Sequence, residues 1–190
     1  MENLYQNFRE GDQVAFHKIY DLYKKKVYDI ALIYTNNHSL AEDITQEAFI
    51  RIFSKHHLYK EEFAFDTWMY RIVINVANNI LRKQKWLRLF KNEVEEQYHV
   101  DSIKGEEEYN EYTLDTLYFL EKLPNKLKSV LVLKYYQDLT QEEIAIILKI
   151  PVGTVKSRIH LGLKKLRVLI DSENSRKESD GYEIYRKKIT

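Results

Sequence analysis

The chain has 190 residues, enough for one ordinary domain or two small ones, and its 30 Lys and Arg against 29 Asp and Glu leave a formal net charge of only +1. It contains no cysteine, which excludes disulfides, thiolate zinc sites and thiol redox switching. No apolar run approaches the ~20 residues of a membrane span, and the polar opening MENLYQNFREG is not a signal peptide, so a soluble cytoplasmic protein without membrane insertion is expected.

Gly and Pro are scarce and periodic stretches are long, which predicts an all-α protein. Residues 12 to 35 carry the first helical pattern, with Val14, Phe16, Ile19, Tyr20, Tyr23, Val27, Ile30, Ala31 and Tyr34 recurring at threes and fours. Asn36, Asn37 and His38 signal a turn. Ser39 is read as the start of the next helix, with Glu42 completing a capping box. Its core stripe is Ala41, Ile44, Ala48 and Ile52, and its outer side presents Asp43, Gln46, Glu47 and Ile50. Acids near a helix start complement the macrodipole, but that does not account for Ile50 among polar neighbours, a pattern that suits an anchor for a partner. Residues 55 to 66 form a loop rich in His and aromatics, and long loops in compact helical domains are often functional.

From Thr67 a further helix is predicted. Trp68, Ile72, Ile74, Val76 and Leu81 supply its apolar part, and Arg71, Asn75, Asn78, Asn79, Arg82 and Lys83 its polar edge. Asn is a poor residue inside helices, so three within five positions need a reason: bonding to buried backbone, or bonding to bases, which the side-chain amide suits. Residues 82 to 91 hold five basic side chains and no acid, whereas residues 93 to 111 hold eight acids and one lysine. The acidic block has little periodicity and reads as a flexible linker, and blocks of alternating sign suggest surfaces with separate partners.

After the linker come a helix with Leu114, Leu117, Tyr118 and Leu120, then, past Leu123 and Pro124, another with Leu127, Val130, Leu131, Leu133 and Tyr135. Thr140 with Glu143 is a capping box opening a short helix striped by Ile144, Ala145 and Leu148. Pro151 interrupts it. A second helix follows from Gly153, with Val155, Ile159, Leu163 and Leu166 as its expected buried face and Lys156, Ser157, His160 and Lys164 opposite. Between Pro151 and Ile170 there are five Lys or Arg and no acid. Two short helices at a sharp joint, the second basic outward, fit a DNA-reading helix-turn-helix. The tail from Asp171 is polar and is expected to fray.

These blocks, in this order, resemble the extracytoplasmic-function (ECF) sigma factors of bacterial RNA polymerase over residues 10 to 168: SLAEDITQEAF, FDTWMYRIVINVANN, the Leu123-Pro124 helix start, LTQEEIAIIL and PVGTVKSRIHLGLKKL. The resemblance implies two small helical domains joined by a flexible linker, the second containing the helix-turn-helix. Residues 8–90 would bind core polymerase and melt the minus-ten element, 91–111 would be the linker, 112–170 would bind the minus-thirty-five element, and 171–190 would be a tail. By position, Asp43, Gln46, Glu47 and Ile50 would meet the clamp helices of the largest polymerase subunit. Residues 56–66 would capture a flipped non-template base, at an unstacking cost of about a few kcal/mol. Asn75 and Asn79 would contact that strand, with Arg71 on phosphate. Lys156, Ser157 and His160 would read bases or backbone upstream, with Arg158 and Lys164 on phosphates. An anti-sigma factor is an expected partner, and neither a metal nor a cofactor is implied.

The sequence departs from the family at Leu161, where many members carry Arg, at Leu163, where another basic residue is common, and at Lys149, where a turn glycine is usual. A stand-alone helix-turn-helix regulator explains residues 140 to 167 equally well but leaves the Asp43–Ile50 face, the loop and the Asn-bearing helix without a task. A metal-dependent enzyme using His56, His57 and Glu61 is the weakest alternative, because adjacent His residues rarely converge on one ion.

Overall fold

A computed structural model describes residues 2–62, 64–91 and 118–189, and among these every regular element is helical. The acidic linker from residue 92 onward, with Leu114 and Leu117, lies outside the described residues. The elements in order are α1 (Glu2–Arg9), α2 (Gln13–Thr35), α3 (His38–Ser54), a 3₁₀ turn (His56–Leu58), α4 (Phe65–Lys91), α5 (Asn125–Leu131), a π-helical segment (Val132–Tyr136), α6 (Gln141–Leu148) and α7 (Val152–Ile189).

Helix α2 starts where expected because Asp12 caps it, its carboxylate accepting from the backbone N–H of Val14 and Ala15 at 2.6 and 3.1 Å. It ends where Asn36 turns left-handed at φ 49°. The next helix begins two residues earlier than predicted. Asn37, not Ser39, is its cap, because the Asn37 amide oxygen accepts from Leu40 N at 2.9 Å. Helix α1 was not expected from the polar opening. It folds because Leu4, Tyr5 and Phe8, three and four apart, pack on the core, with Phe8 fully buried.

The first half packs as α2 against α3, with α4 closing the layer; Ile19, Ile30, Ile44, Ile52, Met69 and Ile74 are fully or nearly fully buried between them. Burying each such side chain contributes roughly 1.5–3 kcal/mol. The segment between α3 and α4 is mostly anchored rather than free. Tyr59 and Phe65 are buried, their rings clustered with Tyr5 and Trp68, and His56 Nδ1 meets the Arg9 carbonyl at 2.9 Å. Helix α4 accordingly starts at Phe65, two residues before the predicted Thr67.

The second half is held on the first. The Tyr34 hydroxyl bonds Ser129 and donates to Asn78 Oδ1 at 3.0 Å, and Lys128 Nζ, almost fully buried, donates to the Tyr34 carbonyl at 2.8 Å. Tyr70 donates to Gln137, and Arg71 donates to the carbonyls of Ile146 and Ile147 near the end of α6. The seam therefore caps chain ends with side chains from the other half, satisfying carbonyls that a helix leaves open.

Helix α7 differs from expectation in two ways. It continues as helix to Ile189, so the tail does not fray from Asp171; no proline interrupts it. Its buried face is Val155, Ile159, Gly162 and Leu166, not Leu163, which is 43% exposed. Gly162 is on that face because α7 lies so close to α5 that a Cβ there would stand 2.9 Å from Leu131 Cδ1. Gly162→Leu is expected to destabilise the protein by about 1–3 kcal/mol through overpacking, read as a lower denaturant midpoint at unchanged slope. A midpoint equal to wild type would show that α7 is free to move off α5.

Candidate nucleic-acid interface

The helix-turn-helix is built as the sequence suggested. Thr140 Oγ1 accepts from Glu143 N at 3.2 Å while Glu143 Oε2 accepts from Thr140 N at 2.8 Å, closing the capping box. These bonds to the carboxylate hold the Glu143 carboxyl below its ordinary range. Lys149 takes the left-handed conformation itself, at φ 53° and ψ 50°, and its N–H bonds back to the Ala145 carbonyl. The turn thus keeps its geometry without glycine. Ile144, Ile147 and Val155 lock the two helices together. Ile147 was missed as a core residue because the expected stripe ran through Ala145 and Leu148, which are only half-buried.

Lys156, Ser157, His160 and Lys164 all stand exposed along α7, as predicted; the Ser157 hydroxyl is turned back onto the Thr154 carbonyl at 3.0 Å. Arg158 is half-buried, toward the flank of that face. Over residues 152–170 this helix carries five Lys or Arg and no acid, a match for the phosphate-lined major groove.

The three asparagines of α4 have separate fates. Asn78 is half-buried and spent on Tyr34, a side chain rather than the backbone partner considered from sequence. Asn79 is exposed and accepts from Arg82 at 3.0 Å, and Asn75 is exposed. Arg71 lies on the same helix, but its guanidinium is held by α6. Its two bonds there must be released before it can meet a phosphate.

On α3 the predicted division into two faces holds. Ala41, Ile44, Ala48 and Ile52 are fully buried, whereas Asp43 and Gln46 are exposed and Ile50 is 55% exposed. Glu47 is half-buried and accepts from Arg51 Nε at 2.7 Å. His56, His57 and Glu61 do not converge: His56 faces the Arg9 carbonyl, Glu61 pairs with Arg9 at 3.6 Å, and the described residues contain no group of three potential ligands placed to hold a metal.

Comparison with known proteins bears on what these faces belong to. Residues 19–87 match the family model for sigma-70 region 2, and residues 115–166 match that for sigma-70 region 4. The ECF RNA polymerase sigma factor SigW of Bacillus subtilis is 37% identical over 179 residues, spanning 84% of this chain and 90% of the relative. The chain belongs to the ECF sigma factors. The sigma-E factor of Escherichia coli K12 is 31% identical over 176 residues, covering 82% of this chain and 86% of its own. Two solved structures share the fold. CnrH, in complex with the cytosolic domain of CnrY, aligns at TM-score 0.67 and 21% identity, over 89% of this chain and 96% of that one. RpoE of Bartonella quintana, in complex with the anti-sigma factor NepR, aligns at 0.65 and 18%, over 82% and 96%. Like other sigma factors, the chain is a DNA-binding initiation factor that directs core polymerase to promoters. Among the described residues no helix is long and apolar enough to cross a membrane.

Proposed function

We propose that this sigma factor works through three faces. The exposed side of α3, with Asp43, Gln46, Glu47 and Ile50, docks on the clamp helices of the largest polymerase subunit. The segment 56–66 and the open edge of α4, with Asn75 and Asn79, take the unpaired non-template strand at the minus-ten element, with Arg71 joining on phosphate once it leaves α6. The exposed side of α7 enters the major groove at the minus-thirty-five element, with Lys156, Ser157 and His160 reading and Arg158 and Lys164 positioning. Residues 8–90 and 112–170 are then the two working domains, joined by the acidic stretch 91–111. The protein acts in the cytoplasm, without catalytic chemistry of its own, on a stress or envelope regulon.

The observation that carries this reading is the open face of α7 over residues 152–170, basic and free of acids, on a stretch of helix whose other side is locked into the core. An anti-sigma factor is proposed as a further partner, supported by the complex in which RpoE of Bartonella quintana was solved with the anti-sigma factor NepR. A stand-alone regulator is disfavoured because it would leave Ile50 exposed to no purpose.

Lys156→Ala combined with Ser157→Ala is expected to reduce holoenzyme binding to a cognate promoter by about 10-fold or more, while core binding is unchanged. Competition binding and run-off transcription measure the two. Unchanged promoter binding would show that α7 is not the reading helix.

A further inference from the structure

Two exposed apolar residues stand on one side of α7, Leu161 and, two turns further on, Val168; Val168 is followed by Asp171 three residues later, whereas Leu161 has only cations and Ser157 three and four residues away. At about 3.6 residues per turn, Ser157, Leu161 and Lys164 fall on one side of the helix, opposite Val155, Ile159 and Gly162. Leu161 is 45% exposed. Its direction is set from behind: because residue 162 has no Cβ, α7 seats directly on Leu131, and that seating turns residue 161 outward. An apolar side chain is thereby held within a cationic surface, with Arg158, Lys164 and Lys165 three and four residues away along the helix and no acid among those neighbours.

A surface of that charge selects a polyanion, and in the major groove the apolar group on offer is the 5-methyl of thymine. A protein partner binding the same leucine would be expected to answer these three neighbouring cations with acids of its own, whereas DNA supplies phosphates on both sides of every thymine methyl. We infer that Leu161 is a specificity-determining residue that packs on a thymine 5-methyl group in the upstream promoter element. This rests on the proposal that α7 enters the major groove. It means that the apolar position inside the reading face is not a lost contact but a readout of a different base, and that the upstream element contains a thymine within reach of the third turn of α7.

The test uses holoenzyme assembled from core polymerase and the full chain, on a promoter identified by run-off mapping. Each thymine of the upstream element is replaced in turn by deoxyuridine, which removes only the methyl. Wild type should lose about fourfold in affinity at one position, the worth of one methyl group taken out of water, and little elsewhere. Leu161→Ala should bind unmodified DNA about as weakly as wild type binds the deoxyuridine duplex, and its own deoxyuridine scan should be flat. A flat scan with wild type, a scan unchanged by Leu161→Ala, or an upstream element without thymine overturns the inference. If the Lys156→Ala, Ser157→Ala variant still loses promoter binding in those cases, α7 reads DNA by other side chains. If it does not, the groove assignment falls as well.

Discussion

Ile50→Asp is expected to weaken association with core polymerase by about 30-fold or more, with no loss of fold stability. A buried aliphatic anchor at the centre of an interface is worth about 2 kcal/mol or more on truncation, and a carboxylate in its place adds an unpaired charge to a desolvated site. The structure makes the residue a clean probe. Ile50 is 55% exposed, while the opposite face of α3 is completely buried, so the substitution leaves the core side of the helix untouched. Glu47→Ala is a poorer probe, because it also breaks the ion pair with Arg51 and so mixes two effects. Titration of labelled sigma factor with core polymerase gives the affinity, and a denaturant melt gives the stability. If core binding survived Ile50→Asp, the docking face would have to be sought elsewhere. The exposed Val14 and Leu22 of α2 would be the next places to probe.

The second large effect is a dependence of stability on pH that comes from Lys128. Its ammonium is 2% exposed, and burial pushes its pKa down to about 8 from 10.5, against a partial upward pull from Glu121. Below pH 8 the lysine is charged in both folded and unfolded chains, and the folded state bears the full desolvation cost, about 3 kcal/mol for a shift of that size. Between about pH 8 and 10.5 the unfolded chain holds a proton that the folded chain has released, so stability rises with pH. From pH 7 to 9.5 the gain should be about 2 kcal/mol. Burial also pushes Tyr34, beside it, up to about 12. Its contribution has the opposite sign, being present below pH 10 and lost as the pH rises toward 12, which limits the useful window to pH 7–9.5. Lys128→Met keeps the stem and removes the titrating group, so its stability should be flat across that window, apart from a constant loss for the uncapped Tyr34 carbonyl. Equal slopes for wild type and variant, from urea melts at each pH, would mean that the buried amine is not what titrates.

Lys128 also shows why some of the molecule was hidden from sequence reading. In NKLKSVL it looks like an ordinary exposed helix lysine, and nothing nearby in the chain marks it. Its partner, Tyr34, is 94 residues away. The same holds for Arg71 and Asn78, which read as a free polar edge of α4 but meet groups from elsewhere in the fold: α6 carbonyls for Arg71, the α2 tyrosine Tyr34 for Asn78.

What the sequence determined by itself is whatever short-range physics controls. Helices α2, α3 and α4, the capping box at Thr140, the two faces of α3 and the cationic side of α7 follow from periodicity and from side chains reaching backbone a few residues away. The choice of Asn37 over Ser39 as a cap was missed because both types cap well and only the chain's path selects between them. Tertiary structure alone decided the rotation of α7. Leu163 and Gly162 are neighbours, and a hydrophobicity pattern naturally buries the leucine. The close approach of α5 reverses that choice, since a Cβ at residue 162 would stand 2.9 Å from Leu131 Cδ1 and force that side chain to shift. That one packing contact turns Leu161 toward the outside and so decides which base-contacting chemistry the reading helix carries.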